Sequence, residues 1–90
     1  MIVATSIPRL GQGVKFRFDK SRDAWILLAP ERLFMPDEVA VEVLKRIDGT
    51  RDVAAIVDDL ATAFNAPREE IESDVLGMLA DLSRKGAIAT

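Results

Sequence analysis

The sequence predicts an α+β fold, in which a three-stranded antiparallel sheet is followed by three helices in a layout like that of a winged helix-turn-helix domain. Three observations support this fold class. Apolar and polar residues alternate over residues 13–19, a continuous apolar run fills residues 24–29, and beyond Pro36 apolar residues recur every three or four positions. Because 90 residues are sufficient for one modest core, we expect a single domain over residues 1–90.

Three strands are predicted in the first part of the chain. The alternation at residues 13–19 is typical of a strand with one face in the core and the other in water. The run at residues 24–29 is short and rich in strand-forming residues, so we expect a central strand hairpinned to the first. Pro30 interrupts the pairing, and residues 32–35 are predicted as a third strand that ends before Pro36. This last strand of the meander lies at the sheet edge, where its outer backbone groups lack partners.

Three helices are predicted after the strands, each with an apolar stripe that faces the core. The stripes consist of Ala40, Val43, Leu44 and Ile47 in the first helix, Val53, Ile56, Val57, Leu60 and Phe64 in the second, and Ile71, Val75, Met78, Leu79 and Leu82 in the third. Gly49 is expected to end the first helix, and Thr50 to cap the start of the second. Pro67 suits the first turn of the third helix, and the chain after Gly86 is expected to be a short extended tail.

The side chains that most catalysts and metal sites use are missing. The chain has no cysteine and no histidine, which excludes a thiol nucleophile, a disulfide, a thiolate-held iron–sulfur cluster and imidazole ligands. Asp58 and Asp59 are adjacent on a helix and point about 100° apart, so they do not form an acid–base pair. The acidic residues at positions 69–74 fit the dipole at a helix start better than a hard-cation site. We therefore predict that the chain is not an enzyme and holds neither a metal nor a cofactor.

The charge distribution argues against a nucleic-acid partner. The net charge is −3, and nucleic-acid affinity depends on neutralising phosphates. Residues 1–35 carry six Lys or Arg against three Asp or Glu, whereas residues 36–90 carry six against twelve. A winged-helix DNA-binding domain is an alternative on its layout, but its reading helix would fall in the acidic half. The unequal halves are either two solvated faces or a means of steering a charged peptide.

No segment is expected to enter a membrane. Residues 1–8 lack the basic start and long apolar centre of a signal peptide, and no stretch approaches the roughly 20 apolar residues of a membrane span. We therefore expect a cytoplasmic protein without membrane contact.

The predicted edge strand is the feature best suited to binding. An extended peptide can add itself to such an edge, with backbone hydrogen bonds providing affinity and side-chain pockets fixing the register. The amphipathic third helix would lie beside it. The alternative within this class is a domain that scaffolds an enzyme and has no peptide site.

Three motifs spread over residues 8–88 form a specific pattern. They are Trp25-Ile26-Leu27-Leu28-Ala29-Pro30-Glu31-Arg32, then Asp48-Gly49-Thr50 after the first predicted helix, and Leu82-Ser83-Arg84-Lys85-Gly86 near the end. Together they resemble the PqqD family of pyrroloquinoline quinone biosynthesis. The resemblance implies a peptide chaperone that binds the ribosomal precursor peptide PqqA and delivers it to PqqE, a radical S-adenosylmethionine enzyme that links a glutamate to a tyrosine in that peptide.

The resemblance also implies where the peptide lies. In PqqD-like recognition elements the peptide is an added strand on the third strand, flanked by the third helix. Carried onto this sequence, the peptide-binding residues are Arg32, Leu33, Phe34 and Met35 on the strand and Ile71, Val75, Met78, Leu79 and Leu82 on the helix. The expected partners are a PqqA-type peptide and a PqqE-type enzyme.

Overall fold

A computed structural model describes residues 1–90. Its elements in chain order are β1 (Arg9–Leu10), β2 (Lys15–Asp19), β3 (Ala24–Ala29), β4 (Arg32–Phe34), α1 (Glu38–Lys45), α2 (Val53–Phe64), α3 (Arg68–Arg84) and β5 (Ile88–Ala89). β2, β3 and β4 form an antiparallel sheet in that order, and β1 pairs with β5 in a separate two-stranded sheet. The predicted α+β fold, with a three-stranded antiparallel sheet ahead of three helices, is confirmed. None of the helices combines the length and the apolar content that a membrane span needs.

The central strand β3 is buried on both faces. Consecutive side chains of a strand point to opposite faces, yet Ile26 and Leu27 expose only 1% and 0% of their surface. Leu27 stands opposite Phe16 of β2 and Phe34 of β4, and its side chain belongs to the main hydrophobic core. Burial on both faces explains why this strand is a continuous apolar run in the sequence and not an alternating pattern.

The strand β4 lies at the edge of the three-stranded sheet, as predicted. It ends at Phe34, one residue earlier than predicted, because Met35 is followed by Pro36 and then by Asp37, which caps the next helix. The carboxylate of Asp37 accepts a hydrogen bond from the N–H of Ala40 at 2.8 Å. The chain therefore leaves the sheet and enters α1 almost at once.

The helix α1 is shorter than predicted. It ends at Lys45, with Arg46 as its C-cap, so the prediction that Gly49 ends it is wrong. Gly49 does adopt the left-handed conformation, with φ +80°, but it lies beyond the helix in the turn before α2. At this end the guanidinium of Arg46 donates hydrogen bonds to the carbonyl and the carboxylate of Glu42 and to the carboxylate of Asp59, which ties the end of α1 to α2.

The sequence predicted Thr50 as the cap of α2, and this prediction is wrong, because the cap is Asp52. The Asp52 carboxylate accepts a hydrogen bond from the N–H of Ala55 at 2.8 Å. Thr50 belongs to the preceding turn, where one oxygen of Asp48 accepts bonds from the N–H groups of Arg51 and Thr50 and from the Thr50 hydroxyl, each at 2.9 Å. These bonds lower the pKa of Asp48 from its ordinary 3.8 to about 2. In the turn and at the helix start, the N–H groups are bound by a carboxylate and not by the Thr50 hydroxyl, because hydrogen bonds to a charged acceptor are stronger.

The N-terminal segment, for which the sequence predicted no element, completes the start of α2. The carbonyl oxygens of Ala4 and Ser6 accept hydrogen bonds from the N–H groups of Ala54 and Val53, each at 2.9 Å. The first N–H groups of a helix have no partner inside it. The segment therefore supplies partners that the helix itself lacks.

The pair of β1 and β5 was not predicted. Arg9 stands opposite Ala89, and Leu10 stands opposite Ile88, which is buried. The expectation that the chain beyond Gly86 is extended is confirmed for β5. Its partner was missed because a strand of two residues is too short to show periodicity.

The predicted stripes of α2 and α3 supply seven of the 13 buried residues of the main hydrophobic core. The buried side chains of these two helices are Val53, Ile56, Val57, Leu60, Val75, Leu79 and Leu82. Phe64 differs from the prediction and is 54% exposed, because α2 ends at this residue and no further turn covers it. In α1, Val41 is buried as well, although it is outside the predicted stripe, whereas Ala40 is partly exposed. Ile47, which the sequence placed in the same stripe, lies beyond the end of α1 and is partly exposed.

Candidate functional site

A shallow groove lies at the free edge of the sheet, between β4 and the C-terminal half of α3. We call it the edge groove, and its volume is about 200 Å³. Its apolar lining includes Phe34, Met35, Ala40, Leu44, Met78 and Leu82. One wall is a strand with an unpaired edge and the other is a helix, which is the arrangement that an added peptide strand requires.

The backbone of Leu33 directs its hydrogen-bonding groups out of the sheet. The strands β3 and β4 are joined through Pro30-Glu31, and Ala29 stands opposite Arg32. In a hairpin with a two-residue loop, the residues that flank the loop form the bonded pair, and bonding then alternates along the strands. Leu33 is the next residue, so its N–H and C=O face the open edge.

The four predicted strand residues all lie at this edge. Phe34 turns its side chain to the core face of the sheet, where the Arg32 guanidinium lies 5.9 Å from its ring centroid. Leu33, opposite Leu28, turns to the other face and is 41% exposed. Met35 follows the strand and is 58% exposed. The edge therefore presents one apolar side chain on each face and a flexible methionine at its end.

The five predicted helix residues lie in three different places. Met78 and Leu82 line the edge groove beside β4. Ile71 and Val75 line a second cleft on the other side of α1. Leu79 exposes none of its surface and packs in the core. The structure thus brings only Met78 and Leu82 next to the predicted strand residues.

The charged rim of the edge groove was missed by the sequence prediction. Asp81 accepts hydrogen bonds from Lys85 and from Arg84, both at 2.9 Å, and the Lys85 bond is the larger cause of a lowered pKa at Asp81. Asp81 and Lys85 both line the groove, as do Ala40 and Leu44 of α1. The spacing of Asp81 and Lys85, four apart on a helix, is the signal that could have indicated the ion pair.

The second cleft is larger, with a volume of about 690 Å³. We call it the helical cleft, because α1, the C-terminal end of α2 and the N-terminal half of α3 form its walls. Trp25 lies at its sheet side, stacked on Phe16 with ring centroids 4.8 Å apart and in edge contact with Phe18 at 5.7 Å. The Lys45 ammonium lies 5.1 Å from the Trp25 ring centroid. No residue of β4 lines this cleft, so the cleft does not include the open edge of β4.

The helix pair α2 and α3 offers no free basic side chain for a phosphate backbone. α2 contains no lysine or arginine. In α3, Arg68 is bound by Asp58 and Glu72, and Arg84 is bound by Asp81. Both arginines of the helix that would read DNA are therefore already neutralised by carboxylates, which disfavours a nucleic-acid interface.

Two curated proteins with similar sequences carry the same name. A protein of Rhodopseudomonas palustris (strain TIE-1), called "PqqA binding protein", is 52% identical over 82 residues, which are 91% of this chain and 80% of that protein. A protein of the same name from Xanthomonas oryzae pv. oryzae (strain PXO99A) is 46% identical over 78 residues, which are 87% of this chain and 85% of that protein.

Two solved structures have similar folds. The solution NMR structure of the PqqD truncation of Methylobacterium extorquens PqqCD, a stand-alone recognition element for ribosomally synthesized and post-translationally modified peptides, matches with a TM-score of 0.86 and 41% identity. That match covers 100% of this chain and 96% of the other. The crystal structure of PqqD from Xanthomonas campestris matches with a TM-score of 0.59 and 42% identity, over 94% of each chain. The family model described as "Coenzyme PQQ synthesis protein D (PqqD)" matches residues 24–88, and the chain therefore belongs to the PqqD family, as its motifs predicted.

Proposed function

We propose that this protein binds a PqqA-type precursor peptide by strand addition to β4 and delivers it to a PqqE-type radical S-adenosylmethionine enzyme in pyrroloquinoline quinone biosynthesis. The observation that carries the proposal is the unpaired edge of β4 with the apolar edge groove beside it. Family membership and relatives named as PqqA binding proteins support the peptide as the ligand. The proposal places this binding in the cytoplasm, where ribosomal peptides are made.

Backbone hydrogen bonds would hold the bound peptide at every second residue of β4, because only alternate residues of an edge strand direct their N–H and C=O outwards. The N–H and C=O of Leu33 face the edge, so we expect them to pair with one peptide residue. Peptide side chains on the core face would enter the edge groove against Met78 and Leu82, and those on the other face would lie beside the Leu33 side chain. Of the nine residues predicted from the family, the peptide would contact Arg32, Leu33, Phe34, Met35, Met78 and Leu82. Leu79, buried in the core, would support the groove from within.

The expected affinity follows from few interactions. Each backbone hydrogen bond contributes about 1 kcal/mol net, and each buried apolar side chain contributes about 1.5–3 kcal/mol. Ordering a flexible peptide and losing its translational freedom costs several kcal/mol. The two hydrogen bonds of Leu33 and a few side chains in a groove of about 200 Å³ therefore predict a modest affinity.

Binding without catalysis agrees with the relatives, which are named for the peptide that they bind. The scaffold alternative, in which the chain meets the enzyme but has no peptide site, is not favoured, because the structure has a formed groove at the predicted edge. The DNA-binding alternative is not favoured either, because the arginines of α3 are paired with carboxylates.

Calorimetric titration with a synthetic PqqA-type peptide tests the binding step, with a scrambled peptide of the same composition as the control. We expect saturable binding of the native peptide alone. Equal binding of both peptides, or of neither, would contradict the proposal. Delivery is tested separately: glutamate–tyrosine cross-linking by the radical S-adenosylmethionine enzyme should increase when this protein is added to enzyme and peptide.

A further inference from the structure

The helical cleft is an apolar surface that the proposed peptide site does not use. Its floor consists of the buried side chains Val41, Leu60 and Val75. Two large apolar side chains stand at its rim, Val39 with 56% and Phe64 with 54% of their surface exposed. Exposed valine and phenylalanine around a cleft of about 690 Å³ mark a site that gains free energy when a partner covers it.

The walls of the cleft determine the shape of its occupant. Apart from Trp25 and Pro36, all lining residues belong to helices. Helical backbone groups are bonded within the helix, so an extended segment would find no backbone partners there. A segment that satisfies its own backbone, an amphipathic helix, therefore fits this cleft, in the helix-in-groove mode of recognition.

The rim of the cleft determines the charge of its occupant. Three carboxylates line it, from Glu38, Glu42 and Asp74, against the single ammonium of Lys45. Lys45 is already engaged, with its ammonium 3.4 Å from Glu42 and 5.1 Å from the Trp25 ring centroid. Glu38 and Asp74 have no ion-pair partner in this chain. An occupant with Lys or Arg beside its apolar residues would pair with them.

The helical cleft and the edge groove lie on two sides of α1. Ala40 and Leu44 line the edge groove, whereas Val39 and Glu42 line the helical cleft. Pro36 is the single residue that lines both. A partner in the helical cleft therefore leaves the edge groove open for the peptide.

From these observations we propose that the helical cleft docks a basic amphipathic helix of the enzyme that receives the peptide. This inference rests on the proposed function, because it assigns the enzyme its own surface on the chain. The two sites together hold peptide and enzyme at once, with α1 between them.

The test measures binding of the PqqE-type enzyme and of the PqqA-type peptide separately, to the same set of full-length variants. The apolar variant is Val39→Ser with Phe64→Ser, and the charge variant is Glu38→Lys with Asp74→Lys. The control is Ile7→Ser, which removes an apolar side chain that is 43% exposed outside the cleft. All of these side chains are exposed, and thermal unfolding is measured first to check that each variant is folded.

We expect both cleft variants to bind the enzyme at least ten-fold more weakly, with peptide affinity within two-fold of the wild-type value. Ile7→Ser should behave as the wild-type protein does. Added salt should weaken enzyme binding by the wild-type protein more than binding by the charge variant, because rim charges act through screened electrostatics.

Enzyme affinity at the wild-type level in both cleft variants would overturn the inference. Loss of peptide affinity in folded cleft variants would also overturn it, because the cleft would then belong to the peptide site. A wild-type protein that binds the peptide but not the enzyme would overturn the docking inference and the delivery step, and leave peptide binding in place. Binding of the enzyme without binding of the peptide would contradict the proposed function, while the cleft variants would still decide the docking surface.

Discussion

Gly11 and Gly86 lie in direct backbone contact: a Cβ atom at residue 11 would stand 2.5 Å from the carbonyl oxygen of Gly86. The neighbouring Ala87 carbonyl accepts the Gly11 N–H at 2.8 Å. This contact joins the chain just after β1 to the chain just before β5. It explains a glycine at position 11 by close approach and not by an unusual backbone angle.

We predict that Gly11→Ala destabilises the protein by about 1–3 kcal/mol, since the obstacle is backbone that cannot move aside without separating β1 from β5. Urea unfolding measures this free energy. An unchanged midpoint of urea unfolding would show that the backbone around residue 11 has room for a Cβ atom, and would contradict the prediction.

Gly77→Ala should have the opposite effect and serves as the matched comparison. Gly77 lies inside α3 with open space around the position of a Cβ. Alanine is the better helix former by about 0.8–1 kcal/mol, so the free energy of unfolding should rise by about this amount. A loss of stability in the same urea experiment would contradict the exposed placement of Gly77.

The cap of α2 gives a prediction that separates two neighbouring residues. Asp52→Ala should cost about 0.5–2 kcal/mol, because the Ala55 N–H loses its acceptor. Thr50→Ala should cost less, because the Thr50 hydroxyl only donates to Asp48 in an exposed turn. Urea unfolding of both variants decides which residue is the cap. A larger loss in the free energy of unfolding for Thr50→Ala would favour the cap predicted from the sequence.

The acid sensitivity of the protein should depend on Asp48. Its pKa is lowered to about 2, so the stability from its charged hydrogen bonds is present above its ordinary pKa of 3.8 and is lost as pH falls toward 2. Asp48→Asn keeps an oxygen acceptor but has no carboxylate to protonate. The melting temperature of the wild-type protein should therefore fall more steeply between pH 5 and about 2 than that of the variant. Parallel curves would show that Asp48 is not responsible.

Strand addition predicts a specific effect of Leu33→Pro. Proline removes an N–H that we place at the open edge, so the sheet should tolerate it while an added peptide loses a donor and meets the ring. Peptide affinity should fall at least about ten-fold, or about 1.4 kcal/mol. Leu33→Ala is the control, because it removes the side chain and keeps the N–H. Strand addition is contradicted if both variants are folded, as measured by thermal unfolding, and bind the peptide equally well.

The sequence predicted the order of β2, β3, β4 and the three helices, and the edge position of β4, because strand and helix periods are local properties. The helix boundaries around Asp48-Gly49-Thr50 were not predicted correctly, since each of these residues can end or begin a helix. In the structure α1 ends at Lys45, and Arg46 beside that end binds Asp59 of another helix, a contact that a local pattern does not report.

The candidate site was predicted in part for a similar reason. Val75, Met78 and Leu79 are equivalent members of one apolar stripe in the sequence. Their different positions arise from where α1 and β4 pack against α3, which leaves Met78 in the edge groove and buries Leu79. Spacing identifies the helix face, but not which of its residues a neighbouring element covers.

The bonds that Ala4 and Ser6 accept from the first turn of α2 show that the part of the chain needed for folding is longer than the part that the family model matches. The family pattern covers residues 24–88, yet the backbone partners of Val53, Ala54 and Ala87 lie at positions 4 to 11. The family model thus covers the stretch in which residue types are recognisable, whereas folding also depends on main-chain atoms that any residue can provide. A fragment trimmed to residues 24–88 would retain the stretch that the family model matches and lose the hydrogen bonds that complete its second helix.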